Sequence, residues 1–442
     1  KIGLLKKNYL MYKTCRDLEE SLYVAPNEIR SCCQRFFHKG KMRGDANLIN
    51  IKENITPSAN DIKEAREKIF NEIQKDENED CVGCPFLKKV KKKPDFTSEI
   101  KFLSIEHHSV CNLRCNYCSE IYYGGKRSKY NVVEFISYLS KSNSLDNCDQ
   151  VVWGGGEPTL DKSFEQILNE INGFANPKAY HRVFTNSVRL SEPIINFLKK
   201  GLIKITTSID AGTPETFKEV RGRPKFFNVF ENLQKYAEVD PGKVTIKYIF
   251  TEENKEKHEL DGFVNNCLKY GLEKCNYQIS INYKKERFDF EFLKSITYLF
   301  IRLHKNNINK IFLDDHIMLR FMSLSEDEMK KINNYSNDNN SEEIILKPEV
   351  IKNLIIFGAG KIANEIIKKT YFFKNIEDFD LVDSDTNVIG TKIKNKTILS
   401  PSILKNDNRK VFIATAQSYD EVYNKIVEIK GDNKNIVTGL II

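Results

Sequence analysis

Proline and glycine are sparse in this chain, 12 and 21 of 442 residues, while 40% of residues are hydrophobic and 11% aromatic. That excludes a collagen-like, low-complexity or disordered polypeptide and leaves a globular one. No uninterrupted run of about 18 apolar residues occurs, so no membrane-spanning helix is expected. Lys6, Lys7 and Asn8 break the amino-terminal stretch where a secretory core would lie, and a cytoplasmic location is expected. Concentrated charge is also lacking. The 69 Lys and Arg against 61 Asp and Glu leave +8 spread over the whole chain. Nucleic-acid recognition usually needs a focused basic face, or aromatic and basic residues interleaved to stack bases. No nucleic-acid partner is expected. Repeats of about 20–50 residues are absent. The length excludes a peptide hormone, a lone ferredoxin or a disulfide mini-protein and suits two or three domains.

Cysteine is plentiful, at eleven residues. In a reducing compartment such residues serve as metal ligands more often than as disulfides. Cys15, Cys32, Cys33, Cys81 and Cys84 form one group, and Cys111, Cys115 and Cys118 a second. Cys148, Cys267 and Cys275 stand alone, as core or helix-face thiols do. The basic run of Lys88, Lys89, Lys91, Lys92 and Lys93, ended by Pro94, reads as a solvated linker, with docking of an acidic electron donor as a sharper reading. The polar stretch Asn333 to Ser341, ahead of Pro348, reads as a second boundary. Three segments follow, 1–95, 96–332 and 349–442.

In the middle segment six β-branched runs read as strands: Phe102 to Glu106, Gln150 to Trp153, Arg182 to Thr185, Ile203 to Ile209, Val244 to Phe250 and Tyr277 to Ile281. Between them, apolar residues recur at helical spacing over Val132 to Leu139, Phe164 to Ile171, Pro193 to Lys199, Phe226 to Ala237 and Leu260 to Tyr270. This α/β alternation predicts a parallel sheet curved as a partial (β/α)6 TIM-type barrel, with an active site at the carboxyl ends of its strands. The last segment alternates on a smaller scale: strand Asn353 to Phe357, helix Ile362 to Lys369, strand Phe379 to Asp383, strand Lys410 to Ala414, helix Asp420 to Ile429. It predicts a small doubly wound, Rossmann-like unit.

Cys111-Asn-Leu-Arg-Cys115-Asn-Tyr-Cys118 follows the first of the six strands. Thiolates select soft metals and iron-sulfur clusters; a zinc site would need a fourth ligand, for which His107 and His108 are the nearby candidates. Three cysteines on a four-iron cluster leave one iron open, able to chelate an amine and a carboxylate and to pass on one electron. The C-x3-C-x2-C spacing with Tyr117 before the last cysteine resembles the signature of the radical S-adenosylmethionine (SAM) enzymes. So does Trp153-Gly154-Gly155-Gly156-Glu157-Pro158 at the end of the second strand.

The resemblance implies that Cys111, Cys115 and Cys118 hold a 4Fe-4S cluster, that Gly155 and Gly156 admit the methionine of SAM, and that Glu157 receives its ammonium. Thr185, Asn186, Ser208 and Asp210 resemble positions around the ribose and methionine of SAM, and Arg221 one aimed at its carboxylate. It further implies reductive cleavage of SAM to a 5'-deoxyadenosyl radical that abstracts hydrogen from a substrate, with a flavodoxin- or ferredoxin-type protein as electron donor.

For the amino-terminal cysteines, Tyr23 to Cys33 reads as two strands about a turn at Pro26-Asn27, and Ala65 to Gln74 as a helix leading to Cys81 and Cys84. Spacing alone leaves zinc and a second iron-sulfur cluster both open. The order resembles the auxiliary-cluster modules called SPASM or twitch domains, although those usually follow the barrel. The expected ligands of a second 4Fe-4S cluster are Cys15, Cys81, Cys84 and one of Cys32 and Cys33, with Cys32 preferred.

Gly358-Ala359-Gly360 closes a buried run in G-x-G-x-x-A form, and Asp383 stands where an acidic residue can bond a ribose hydroxyl. The segment resembles small Rossmann-like domains on sugar-modifying and surface-polysaccharide enzymes. A sugar, nucleotide-sugar or polysaccharide precursor is therefore the expected substrate. A SPASM-type enzyme modifying a ribosomal peptide is the alternative, although no leader-peptide-binding domain is evident. A non-catalytic iron-sulfur electron-transfer protein fits less well, because such a protein needs no glycine-rich SAM pocket.

Overall fold

Short β-branched runs become strands where the sequence places them, and additional chain joins their sheets. The computed structural model describes residues 11–53, 55–282, 289–314, 317, 324–338, 345–346, 353–360, 363–364, 367–368, 378–415, 419–432, 436–437 and 440–441. The chain divides into two units: Lys1–Arg114 with Cys118–Thr206, and Cys115–Tyr117 with Thr207–Ile442. Both are mixed α/β, and parallel pairing dominates their larger sheets.

In the first unit the order along the sheet is Ile203–Ser208, Tyr180–Phe184, Gln150–Trp153, Phe102–Ile105, Ser21–Val24, Glu28–Arg30 and Asn47–Asn50. The first five run parallel to their neighbours and the last two antiparallel. Three strands from the first 50 residues thus extend the sheet begun by the middle segment. Ser21–Val24 is buried along its whole length, as a strand covered on both faces must be. The turn at Pro26-Asn27 forms, closed by a bond from Ala25 N–H to Glu28 O at 3.0 Å. Helix Ala59–Gln74 begins six residues before the expected start, because Ser58 and Asp61 form a capping box.

Two expected linkers prove to be structured. Lys88–Val90 pairs antiparallel with Tyr12–Thr14, and its lysines protect a short exposed edge. Residues 333–338, expected to be irregular, continue helix Glu326–Asp338. The Ser325 hydroxyl caps Glu328 N–H at 3.3 Å and buried Ile332 anchors the helix, which outweighs the small helix penalties of Asn and Ser.

In the second unit Val244–Phe250, Asn276–Ile281 and the unanticipated Ile311–Leu313 form a parallel run. The carboxy-terminal sheet has the order Lys392–Ile393, Lys396–Leu399, Phe379–Val382, Leu354–Phe357, Lys410–Ile413, Ile436–Val437, parallel throughout apart from the first pair. Lys396–Leu399 was not expected as a strand; the expected helix Ile362 to Lys369 lies largely outside the described residues. Phe312 stacks on Tyr419 with centroids 5.5 Å apart, tying the two sheets of this unit together.

Two buried polar groups stiffen the first unit. Arg66, fully buried on helix Ala59–Gln74, donates to the carbonyls of Thr97 at 2.7 Å, Glu99 at 2.9 Å and Ser21 at 3.0 Å, fastening the amino-terminal helix to the sheet. Replacement by Met keeps the volume and strands three carbonyls. Arg66→Met should lower stability by about 3 kcal/mol, read as a lower urea midpoint at unchanged slope. His181 is fully buried, accepting from Trp153 Nε1 at 2.9 Å and facing Asn172 Oδ1 at 2.6 Å. Burial pulls its imidazole down to about 3. Its ordinary value is about 6.5, so the unfolded chain binds this proton first. Stability contributed by neutral His181 is therefore intact above pH 6.5 and falls by about 1.4 kcal/mol per unit as pH drops toward 3. Urea midpoints at pH 7 and pH 5 should show this fall, and His181→Gln should flatten it.

Candidate functional site

The glycine turn after Gln150–Trp153 lies against the chain that leaves Phe102–Ile105. Gly156 N–H donates to His108 O and Glu157 N–H to Val110 O, both at 2.8 Å. A Cβ on Gly156 would stand 2.3 Å from Val110 O, and one on Gly155, whose φ is +80°, would stand 2.8 Å from His108 O. Only glycine fits at these two positions.

Glu157 follows and is 2% exposed. Its Oε1 accepts from Thr159 N–H at 3.2 Å and from the hydroxyls of Thr159 and Thr185 at 2.7 Å each; its Oε2 accepts from Asn186 N–H at 2.6 Å. Burial pushes the carboxyl upward and these donors oppose it, with a net rise. Since a carboxylate offers about four acceptor sites, the capacity left for an ammonium lies on Oε2. Thr185 and Asn186 are thus held by Glu157. The Asn186 side chain also reaches Asn112 Oδ1 at 2.6 Å and Cys111 Sγ at 3.7 Å. Cys111 Sγ further accepts from Leu113 N–H at 3.4 Å, and Cys118 lies against Ser119 O at 3.7 Å.

In the second unit the Cys115–Tyr117 segment has its own anchor. Asn116 N–H donates to Val220 O at 2.9 Å. The Tyr117 hydroxyl donates to Asp210 Oδ2 at 2.6 Å, and Arg221 Nη1 donates to the same oxygen at 2.7 Å and to the Tyr117 hydroxyl. Asp210 Oδ1 accepts from Ile249 N–H at 2.7 Å. Asp210 is fully buried and Arg221 is 4% exposed. Burial works against the guanidinium charge, yet Cys115, Tyr117 and Asp210 hold it firmly protonated. The structure thus directs Arg221 and Asp210 at each other and at the cysteine loop. Ser208 is half-buried at the end of its strand.

Four of the amino-terminal thiols share one neighbourhood. Cys15 caps the short helix Arg16–Glu20, and burial pushes its thiol up to about 12, with Cys32 and Cys84 among the groups raising it further. Cys81 is raised by burial and then by Cys15, Cys32 and Cys84. Cys33 instead pairs with the Tyr23 hydroxyl and faces Glu106. These electrostatic contacts place Cys15, Cys32, Cys81 and Cys84 near one another. Cys148, Cys267 and Cys275 are buried in the core, and burial raises all three.

In the carboxy-terminal sheet Gly358 has φ +104°, and Ala414 N–H donates to Phe357 O at 2.8 Å where the strand order changes direction. Asp383 Oδ2 accepts from Ala359 N–H at 2.6 Å. The acid therefore occupies a turn amide that a phosphate would otherwise use. Sequence reasoning also missed His107, His108 and Asp161 as a group. His107 and His108 were considered only as zinc ligands beside the cysteines, and Asp161 stands 53 residues beyond His108 in a common turn sequence.

The core of this arrangement matches known proteins. The radical SAM superfamily profile matches residues 105–263. The chain is 27% identical over 173 residues to GTP 3',8-cyclase of Vibrio parahaemolyticus, covering 38% of this chain and 51% of that one. It is 26% identical over 171 residues to the Haemophilus influenzae protein of the same name, covering 38% and 50%. The chain thus spans about half the length of these curated relatives. Among solved structures, Streptococcus suis SuiB bound to S-adenosylmethionine aligns with a TM-score of 0.41 at 15% identity, over 62% of this chain and 60% of that one.

If Asp210 restrains the cysteine loop through Tyr117 and Arg221, Asp210→Asn should cost about 3 kcal/mol, because a buried cation loses its counter-charge. Thermal unfolding combined with iron retention after anaerobic reconstitution would register this, both falling in the variant. The three-cysteine loop, the glycine turn beside it and the profile match identify residues 105–263 as a domain of the radical SAM superfamily, whose cofactors are a 4Fe-4S cluster and S-adenosylmethionine.

Proposed function

We propose that this chain reductively cleaves SAM and abstracts hydrogen from a sugar, nucleotide-sugar or polysaccharide precursor. The observation that carries the SAM reading is the close contact of Gly155 and Gly156 with residues 106–110, which leads directly into the three thiols. Cys111, Cys115 and Cys118 would hold the cluster: three thiolates on one short loop are the soft donors it requires. When bound, the cluster and SAM together supply a 5'-deoxyadenosyl radical that removes a hydrogen atom from the substrate.

The chain's own residues do the rest. Gly155 and Gly156 leave room for the methionyl group, and Glu157 Oε2 accepts an ammonium proton. Thr185 and Asn186 keep that carboxylate in place. Asp210 and Arg221 fix Tyr117 and hence the loop between the second and third thiols. Cys15, Cys32, Cys81 and Cys84 would hold a second 4Fe-4S cluster in a SPASM- or twitch-like module, and their mutual electrostatic influence supports Cys32 over Cys33.

The carboxy-terminal segment supports the substrate class. Without the antiparallel edge strand Lys392–Ile393, its five parallel strands, numbered in chain order, run 3-2-1-4-5, the order expected of a doubly wound Rossmann-like unit, and the switch point where such folds open a crevice lies beside Gly358 and Ala414. With Asp383 on the turn, the crevice favours ribose or sugar hydroxyls at that point over a phosphate. The names of the GTP cyclase relatives agree with a nucleotide-bearing substrate.

Two outcomes test the reading. The reconstituted chain given SAM and dithionite should release 5'-deoxyadenosine, and Cys115→Ala should release none while its iron falls from about eight to about four per chain. Continued SAM cleavage by that variant overturns the cluster assignment. Nucleotide sugars should bind the full chain, and Asp383→Ala should weaken binding at least about tenfold, a loss of some 1.4 kcal/mol. Absence of binding across a nucleotide-sugar panel overturns the substrate class and leaves the SAM reading standing.

A further inference from the structure

Three donor side chains outside the thiol sites converge behind the glycine turn. His107 and His108 leave the end of Phe102–Ile105, and Asp161 ends the short helical turn Pro158–Leu160 that follows Glu157. One ligand atom from each lies within 4.8 Å of the other two. His107 Nε2 stands 2.8 Å from Asp161 Oδ2, and the two imidazoles meet edge to face with centroids 4.9 Å apart. The histidines are 7% and 6% exposed. All three line a cavity of about 200 Å³, together with Arg127, Ser128 and Asn131.

We propose that His107, His108 and Asp161 hold one divalent transition-metal ion, with zinc the natural occupant, and that it presents open coordination positions to an anionic oxygen ligand in this cavity.

The donor set suits the cation: two imidazoles and a carboxylate are ligands of zinc and its first-row neighbours, and three protein ligands leave a position open. The spacing suits it as well. Atoms bound about 2.0–2.2 Å from one metal lie about 3 Å apart, close to the His107–Asp161 separation. The bond from Val110 N–H to His108 Nδ1, at 3.1 Å, shows that nitrogen unprotonated, and a metal bound there takes over the one lone pair that now meets the amide. Asp161 is already steadied, its Oδ1 accepting from Ser163 N–H at 3.2 Å.

The charges indicate what the open position takes. Neutral imidazoles, one carboxylate and a divalent ion leave a net positive centre, and Arg127 on the same cavity adds to it. A carboxylate or phosphate oxygen completes the coordination and neutralises the site.

The test uses the full chain, reconstituted anaerobically so that iron and sulfide occupy the cysteines, and then treated with a chelator mild enough to leave the counted iron in place. Titration with zinc should load one ion per chain. Zinc-edge X-ray absorption should show nitrogen and oxygen neighbours at about 2.0–2.2 Å and no sulfur at about 2.3 Å. Asp161→Asn and His107→Gln should each weaken zinc binding at least about tenfold with iron content unchanged. Sulfur neighbours would place the zinc on vacant cysteines and overturn the proposal. Failure to load one ion, or equal loading in Asp161→Asn, would overturn it too. The absorption measurement needs no variant, so the proposal stays testable if a substitution prevents folding.

Discussion

The close approach of two backbones at Gly155 and Gly156 is the constraint from which the first unit's strand ends take their arrangement. Two inter-loop hydrogen bonds and two forbidden Cβ positions make the turn after Gln150–Trp153 and the chain after Phe102–Ile105 behave as one piece. Glu157 is delivered from one side of that piece and the three-cysteine loop from the other. His107 and Asp161 meet for the same reason, since each lies a few residues from the shared contact. A bulkier side chain at either glycine would separate all of these groups together.

Charge is handled differently in the two units. Glu157 is buried among neutral donors, which satisfy it without neutralising it, so it retains an attraction for a cation. Asp210 is buried against Arg221, and its charge is matched within the protein. The first arrangement suits a ligand contact and the second suits structural support. Motif resemblance places both acids around SAM, and the structure gives them different partners. Among the amino-terminal thiols burial raises the groups first, and their like neighbours add to it.

Much of this was legible in the sequence wherever local pattern and tertiary demand agree. The six strands of the middle segment and the helices between them lie where periodicity placed them, because a parallel sheet buries both faces of each strand. The hairpin at Pro26-Asn27 and the glycine turn were also readable, since backbone geometry dictates their residues. Long-range pairing was not. Nothing local says that Ser21–Val24 joins Phe102–Ile105, that Lys88–Val90 finds Tyr12–Thr14, or that Asp383 bonds the Ala359 amide. The choice between Cys32 and Cys33 turns on which neighbour points at Tyr23, a question of side-chain direction that adjacent identical residues cannot answer in sequence.

The parallel pairing of Ser21–Val24 with Phe102–Ile105 sets an order of events during synthesis. Leu22 meets Leu103, and Glu20 meets Lys101 across 81 residues. An emerging chain cannot seat its amino-terminal strand until the first strand of the middle segment has left the ribosome. Until then Cys15 and Cys32 belong to a segment with an unfilled edge and a large loop to close. Residues 81 and 84 are already out by that point. The amino-terminal cysteines thus come together only after sheet closure, and until then two of them sit on a flexible, partly exposed segment.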